Sequence, residues 1–233
     1  MAGIQIVGQG GVVGEIQSAA TGFRALRSVQ FPADVGARGA YAIGLFTGIL
    51  PAALAANSEI FQFRWAHATL LCIPRAVRIS ASVTTTFFAA GVPVEIEMRL
   101  ARGWTVQGTG GTGITFGAND NKKRTQFATS ATATGDIRQA TTAALGAGTK
   151  TLDANPMRYL VTGGPITASL DGDIIAPGTM VWQRDTSDEY PLIFEQNEGF
   201  VIRSVAVPGT GTWRCALEIE WTEIDPAVQT EWA

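Results

Sequence analysis

Trp213-Arg214-Cys215-Ala216-Leu217-Glu218-Ile219-Glu220-Trp221-Thr222 alternates without a break. Trp213, Cys215, Leu217, Ile219 and Trp221 fall on one side, and Arg214, Ala216, Glu218, Glu220 and Thr222 on the other. Successive side chains of an extended chain point to opposite faces, so this period of two predicts a strand with one face in a core. A slip of one residue would bury Glu218 and Glu220, so the register is tightly specified.

Moving outward, the same signature recurs. Val94, Ile96, Met98 and Leu100 alternate with Glu95, Glu97, Arg99 and Ala101, which predicts a second half-buried strand. Shorter runs rich in Val, Ile, Phe and Trp lie at 61–65, 72–83, 159–162, 180–183, 192–194 and 200–207, each bounded by Gly, Pro, Asn or Asp. Evenly spaced strands with Gly/Pro-rich turns, and little helical periodicity, predict an all-β fold: a β-sandwich or jelly roll. Asp171-Gly172 reads as a hairpin turn.

Three regions depart from this pattern. Residues 1–34 are rich in Gly and Ala and poor in large apolar groups, which predicts an extended N-terminal arm ahead of a β domain over 35–225. Residues 108–148 are Gly/Thr/Ala-rich with little to bury, and predict long loops with a hairpin near Asp136-Ile137-Arg138. Residues 226–233 read as an exposed tail. The uncharged stretch from Gly39 to Ser58 could conceal a membrane span, and Gly44 and Gly48 have the spacing of packed membrane helices. Pro51 breaks the run, however, and Tyr41, Ile43 and Leu45 alternate with Ala42, Gly44 and Phe46, which reads as extended chain buried on both sides. No membrane partner is expected.

Composition narrows the function. Of the 233 residues only 16% are charged, against roughly 25% in an average globular protein. A surface so poor in charge is most simply covered by partners. Lys+Arg 17 against Asp+Glu 20 leaves no basic stripe to neutralise phosphates, so nucleic acid is not an expected partner. Lys122-Lys123-Arg124, after Asn119-Asp120-Asn121, is the basic cluster, and reads as a loop tip or a contact with an acidic neighbour. The opening residues lack a basic segment and an apolar core of signal-peptide type, so secretion by that route is not expected. Cys72 and Cys215 lie in apolar strands and read as buried free thiols.

No catalytic set is legible. His67 is the single histidine, without a Gly-x-Ser-x-Gly elbow to pair with, and reads as the cap of a turn. With Cys72 and Cys215 it makes three soft ligands without paired spacing, so zinc is not expected. The run from Gly108 to Gly113 lacks the ending of a phosphate-binding loop. Asp171, Asp173, Asp185, Asp188 and Glu189 could offer oxygen to calcium, but they do not follow the EF-hand pattern, and turn chemistry accounts for most of them. Their separation across a cleft, which glycoside hydrolysis requires, is not readable from sequence. No cofactor is expected. Trp65, Trp104, Trp182, Trp213 and Trp221 could form a sugar-stacking platform, yet Trp65, Trp213 and Trp221 sit on core faces. Trp104, after Arg102-Gly103 at a strand end, is the expected interface aromatic, alongside Lys122, Lys123 and Arg124.

Two stretches carry a resemblance: Ala55-Ala56-Asn57-Ser58-Glu59-Ile60-Phe61-Gln62-Phe63-Arg64-Trp65, and Glu189-Tyr190-Pro191-Leu192 leading to Gln196-Asn197-Glu198-Gly199-Phe200-Val201-Ile202-Arg203. With Gly211-Thr212-Trp213 and the closing Glu218 to Glu223, they resemble a poorly characterised family of tailed-phage virion proteins over roughly 55–224. The resemblance implies a β-rich, non-enzymatic structural protein and transfers no active-site residues. It leads to the expectation of a capsid decoration or cement subunit, assembled in the host cytoplasm. That subunit would be a homo-oligomer, with a trimer as the expected state, touching the major capsid protein. A tail, adaptor or fibre-anchoring subunit touching tail proteins is the alternative, and a carbohydrate-binding module is a more distant one.

Overall fold

The computed structural model describes residues 5–7, 13–18, 24–28, 38–51, 54–84, 93–162, 173–184, 191–206 and 210–226. Strands β1 (Gln5–Val7), β2 (Val13–Ser18) and β3 (Arg24–Ser28) form a small antiparallel sheet within the predicted arm. Then follow β4 (Gly39–Phe46), β5 (Leu50–Pro51), β6 (Ser58–Trp65), β7 (Leu71–Val83), β8 (Val94–Val106), β9 (Thr112–Gly113) and β10 (Ile137–Gln139). The last five are β11 (Thr149–Leu152), β12 (Arg158–Thr162), β13 (Asp173–Gln183), β14 (Glu198–Ala206) and β15 (Thr212–Ile224).

The protein is all-β, with two antiparallel sheets packed face to face as a β-sandwich. One runs β11-β8-β14-β6-β10-β9, with β12 also on β8; the other runs β13-β7-β15-β4, with β5 also on β15. The strand predicted from Trp213 to Thr222 is the centre of the second sheet, paired with β7 on one side and β4 on the other. Its five apolar side chains are buried, while Arg214 and Glu218 are exposed. Its Trp221 meets Phe63 of the opposite sheet edge-on at 5.6 Å and stacks on Tyr41 of β4 at 5.4 Å. Phe63 in turn stacks on Phe200 of β14 at 5.3 Å. Aromatic rings in contact bury large areas in preferred geometries, so this group joins the two sheets.

Local sequence explains the irregularities. Pro74 cannot donate to a ladder, and it sits where β7 slips register against β15, at a bulge that tolerates its missing N–H. Gly199 brings β14 close to β6: a Cβ there would lie 2.0 Å from the Phe63 carbonyl oxygen.

Several expectations are corrected. β4 is buried on one face, with Gly44 and Phe46 exposed on the other, because it is the edge of a two-layer sandwich. The segment 108–148 is largely irregular, as its composition implied, but it is not poor in core. Ile137, Ala140 and Leu145 are buried, and Ile114 and Phe116 pack against the same core. Ile137–Gln139 is no isolated hairpin, since β10 inserts between β6 and β9. The strands flanking Asp171-Gly172 belong to different sheets, so a crossover rather than a hairpin joins them. Residues 192–194 contribute one bridge, Phe194 to Cys72, rather than a full strand.

Candidate assembly surfaces

The basic cluster lies along the outer edge of β4. The Ala42 N–H donates to the Asn121 carbonyl at 3.0 Å, the Lys123 N–H donates to the Ala40 carbonyl at 2.9 Å, and Lys122 bridges to Tyr41. Asn121 takes a left-handed conformation, φ 58°, and its side-chain amide donates to the Ala42 carbonyl at 2.8 Å. The ammonium of Lys123 pairs with Glu220, which also takes Arg78 at 2.8 Å; Arg124 lies 6.0 Å from the Phe127 ring. Hydrogen bonds from Arg78 and Lys123 hold the Glu220 carboxyl below its ordinary value. Lys122 and Lys123 are thus tied to β4 and β15 of the same chain.

Trp104 is a correction. Its side chain is fully buried against Ala101, Val201 and Leu152, with the Lys150 ammonium 4.3 Å from its ring. Gly103 ahead of it adopts a left-handed φ of 58°, which breaks the strand's alternation and returns the tryptophan to the face that already carries Ala101. It offers no exposed surface to a partner.

The outer face of the larger sheet holds charge that the alternation pattern assigned to solvent. Glu97 is buried between Arg99, at 2.5 Å, and Arg203. Burial raises its carboxyl, but the hydrogen bonds and charges of the two guanidinium groups outweigh that and hold it below the ordinary value. Glu59 accepts from Lys150 at 2.9 Å and from the Gln62 amide at 2.5 Å. Burial lowers the Lys150 ammonium, against the pull of Glu59. Arg64 reaches Asp136 at 2.8 Å, the Trp104 carbonyl at 2.6 Å and the Asn197 side chain at 3.1 Å, tying β6, the end of β8 and the turn before β14 together. Sequence reasoning missed this network. Its one signal is that Glu59, Arg64, Asn197 and Arg203 all lie in the two stretches that carry the resemblance.

The outer face of the smaller sheet is different. Phe46 is 63% exposed, and with Ser80, Ser82, Arg214 and Ala216 it borders a shallow depression of about 230 Å³. Glu218 is exposed on the same face, 3.7 Å from Arg78.

The other sequence candidates fall into place individually. His67 Nδ1 accepts the N–H groups of Thr69 at 3.2 Å and Leu70 at 3.1 Å, and its ring stacks on Trp65, so it caps a turn. Cys72 and Cys215 are free and buried. Cys215 pairs with Ala81, nine residues along β7 from Cys72, or roughly 30 Å at ~3.3 Å per residue, far beyond disulfide reach. Burial pushes both thiols well above the ordinary range. Asp171 and residues 185–190 lie outside the described residues, and so does the Asp173 side chain; among the described residues no group of three His, Cys, Asp or Glu is placed to hold a metal ion. No helix among them is long and apolar enough to cross a membrane. Comparison of the chain with family models, curated proteins and solved structures finds no match.

Proposed function

We propose that the protein is a structural subunit of a tailed-phage virion, a capsid decoration or cement protein that works by burying surface against neighbouring subunits. The observation that carries this reading is the outer face of the smaller sheet, where Phe46 stands 63% exposed among Ala216, Ser80 and Ser82 on a chain with only 16% charged residues. A large aromatic left exposed among small side chains on a rigid sheet is what an assembling subunit presents. The two stretches that resemble virion proteins support it as well. Among the described residues they include β6 and most of β14, neighbours at the centre of the larger sheet, so the residues that carry the resemblance help to fix the framework.

Glycan stacking is the weaker reading, because Trp65, Trp104, Trp213 and Trp221 are wholly buried. A tail or adaptor subunit has the same physical basis as a decoration protein and differs in copy number. Mass spectrometry of purified particles, with copies referenced to the major capsid protein, separates the two: hundreds of copies mark decoration, and about a dozen mark the tail. Absence from particles overturns both. Within this reading the segment 1–34 is an assembly element, so its deletion leaves the sandwich folded and removes the chain from particles.

A further inference from the structure

The outer face of the smaller sheet carries its own symmetry. Phe46 of β4, Ala216 of β15 and Ser80 of β7 are register partners, so they form one row running across the strands. Along β15, Arg214 lies two residues to one side of that row and Glu218 two residues to the other, both exposed. The exposed groups of the central strand therefore run positive, neutral, negative at equal spacing; half-buried Glu220, the next on this face, is already paired with Arg78 and Lys123, and Arg78 also lies 3.7 Å from Glu218.

We infer that this face binds a second copy of the chain about a two-fold axis lying along the Phe46–Ala216–Ser80 row. The axis reverses strand direction and leaves each strand opposite its own copy. Phe46 then meets Phe46 of the second copy, Ala216 meets Ala216, and Arg214 faces Glu218 twice over, once in each direction. A two-fold axis parallel to the strands would instead set Arg214 against Arg214 and Glu218 against Glu218, an arrangement that like-charge repulsion disfavours. Ala216, Ser80 and Gly44 are small, so the partner backbone can come near while the two exposed Phe46 rings are covered. Over the eight residues of β4, a four-strand sheet presents roughly 500 Å² at ~4.8 Å between strands and ~3.3 Å per residue. That is about two thirds of the ~800 Å² per partner of a standard interface, the size of a weak, reversible contact. The contact is isologous, closes on itself, and replaces the three-fold state expected from sequence with a two-fold one.

This inference rests on the assembly reading for its setting, but its test does not. Sedimentation equilibrium of the full chain at up to about 100 µM, a range that captures weak specific association, should give twice the 24.6 kDa chain mass. Arg214→Glu and Glu218→Arg each place like charges in contact, and each should weaken the dimer by about tenfold or more. The double variant restores both pairs with reversed sign and should return to within about threefold of the unaltered chain. Phe46→Ser should weaken the dimer without altering the circular dichroism of the sheet. A monomer, a trimer, single swaps without effect, or a double variant no better than the singles overturns the inference. A monomeric chain abundant in particles would remove the two-fold contact and leave the assembly reading standing; a two-fold dimer absent from particles would do the reverse.

Discussion

The carboxylate of Glu223, wholly buried near the end of β15, accepts a 2.7 Å hydrogen bond from the Ser130 hydroxyl in the long segment between β9 and β10. The Ala131 N–H reaches both of its oxygens, at 3.1 and 3.0 Å, and the Trp221 indole N–H reaches it at 3.2 Å. Every one of these donors is neutral. One buried acid therefore anchors the 130–131 stretch of the Gly/Thr-rich segment to β15.

Burial raises the Glu223 carboxyl above its ordinary value of 4.5, with Ser130, Ala131 and Trp221 opposing. The folded state then holds the proton more tightly than the unfolded one, so this group's contribution to stability is fully present below 4.5. It is lost as pH rises through the raised value. Glu223→Gln keeps an acceptor without the charge, so its melting temperature should gain on the unaltered protein as pH rises from 4 to 8. Glu223→Ala strands the Ala131 and Trp221 donors and should cost about 1–3 kcal/mol at any pH in that range. Thermal melts of the three proteins across pH check both; a parallel pH dependence for Glu223→Gln would refute the assignment.

Glu97 should behave with the opposite sign. Its carboxyl is held below 4.5, so it stabilises the fold above the unfolded value, and that contribution fades as pH falls through the depressed one. Glu97→Ala leaves Arg99 and Arg203 facing each other in a largely buried site, at a cost of about 3–5 kcal/mol. Urea denaturation at pH 7 and pH 3 should show the gap between the two proteins narrowing in acid.

Leu217 and Glu218 are adjacent and face opposite ways. Leu217 is fully buried, so Leu217→Ala should cost roughly 2–5 kcal/mol, whereas Glu218→Ala should cost under about 1 kcal/mol in the isolated chain. Equal effects on chemical denaturation would contradict the strand's register.

Neither thiol should react with a maleimide in the native protein, and both should react after denaturation without reductant, since Cys72 of β7 and Cys215 of β15 are buried and far apart along the ladder that joins these strands. Denatured, unreduced protein that takes up no label would reveal a disulfide and a different strand order.

The legible part of this fold was the part where one physical rule acts alone. Along β15 and β8 the opposite sheet decides which side chains turn inward, and the period of two records that decision. The fate of Trp104 was not legible, because it hangs on the left-handed conformation of Gly103, which sequence permits without requiring. Glu97 was misplaced for a related reason: alternation says which face a residue joins but not what covers that face. Residues 108–148 hid their core because Ile137, Ala140 and Leu145 follow no strand or helix period and are placed by distant β6: Ile137 pairs with Phe63, and the N–H groups of Ala140 and Leu145 donate to the Ile60 and Glu59 carbonyls at 2.8 and 2.9 Å. The exposed face of β4 was missed because Tyr41 to Phe46 contains no charged residue to mark the solvent side.

The strap of residues 121–123 along β4 has a bearing on life at high concentration. Any chain made in quantity lies beside identical chains with identical strands. A bare, apolar edge such as Ala40-Tyr41-Ala42 would then be a template on which copy after copy could add, in the manner of a growing fibre. With Asn121 and Lys123 already occupying its hydrogen-bonding groups, and the Gln139 side chain taking the N–H of Phe46 at 3.0 Å, that route is closed. At this edge the strap turns a template that could propagate without limit into one that ends within a single chain.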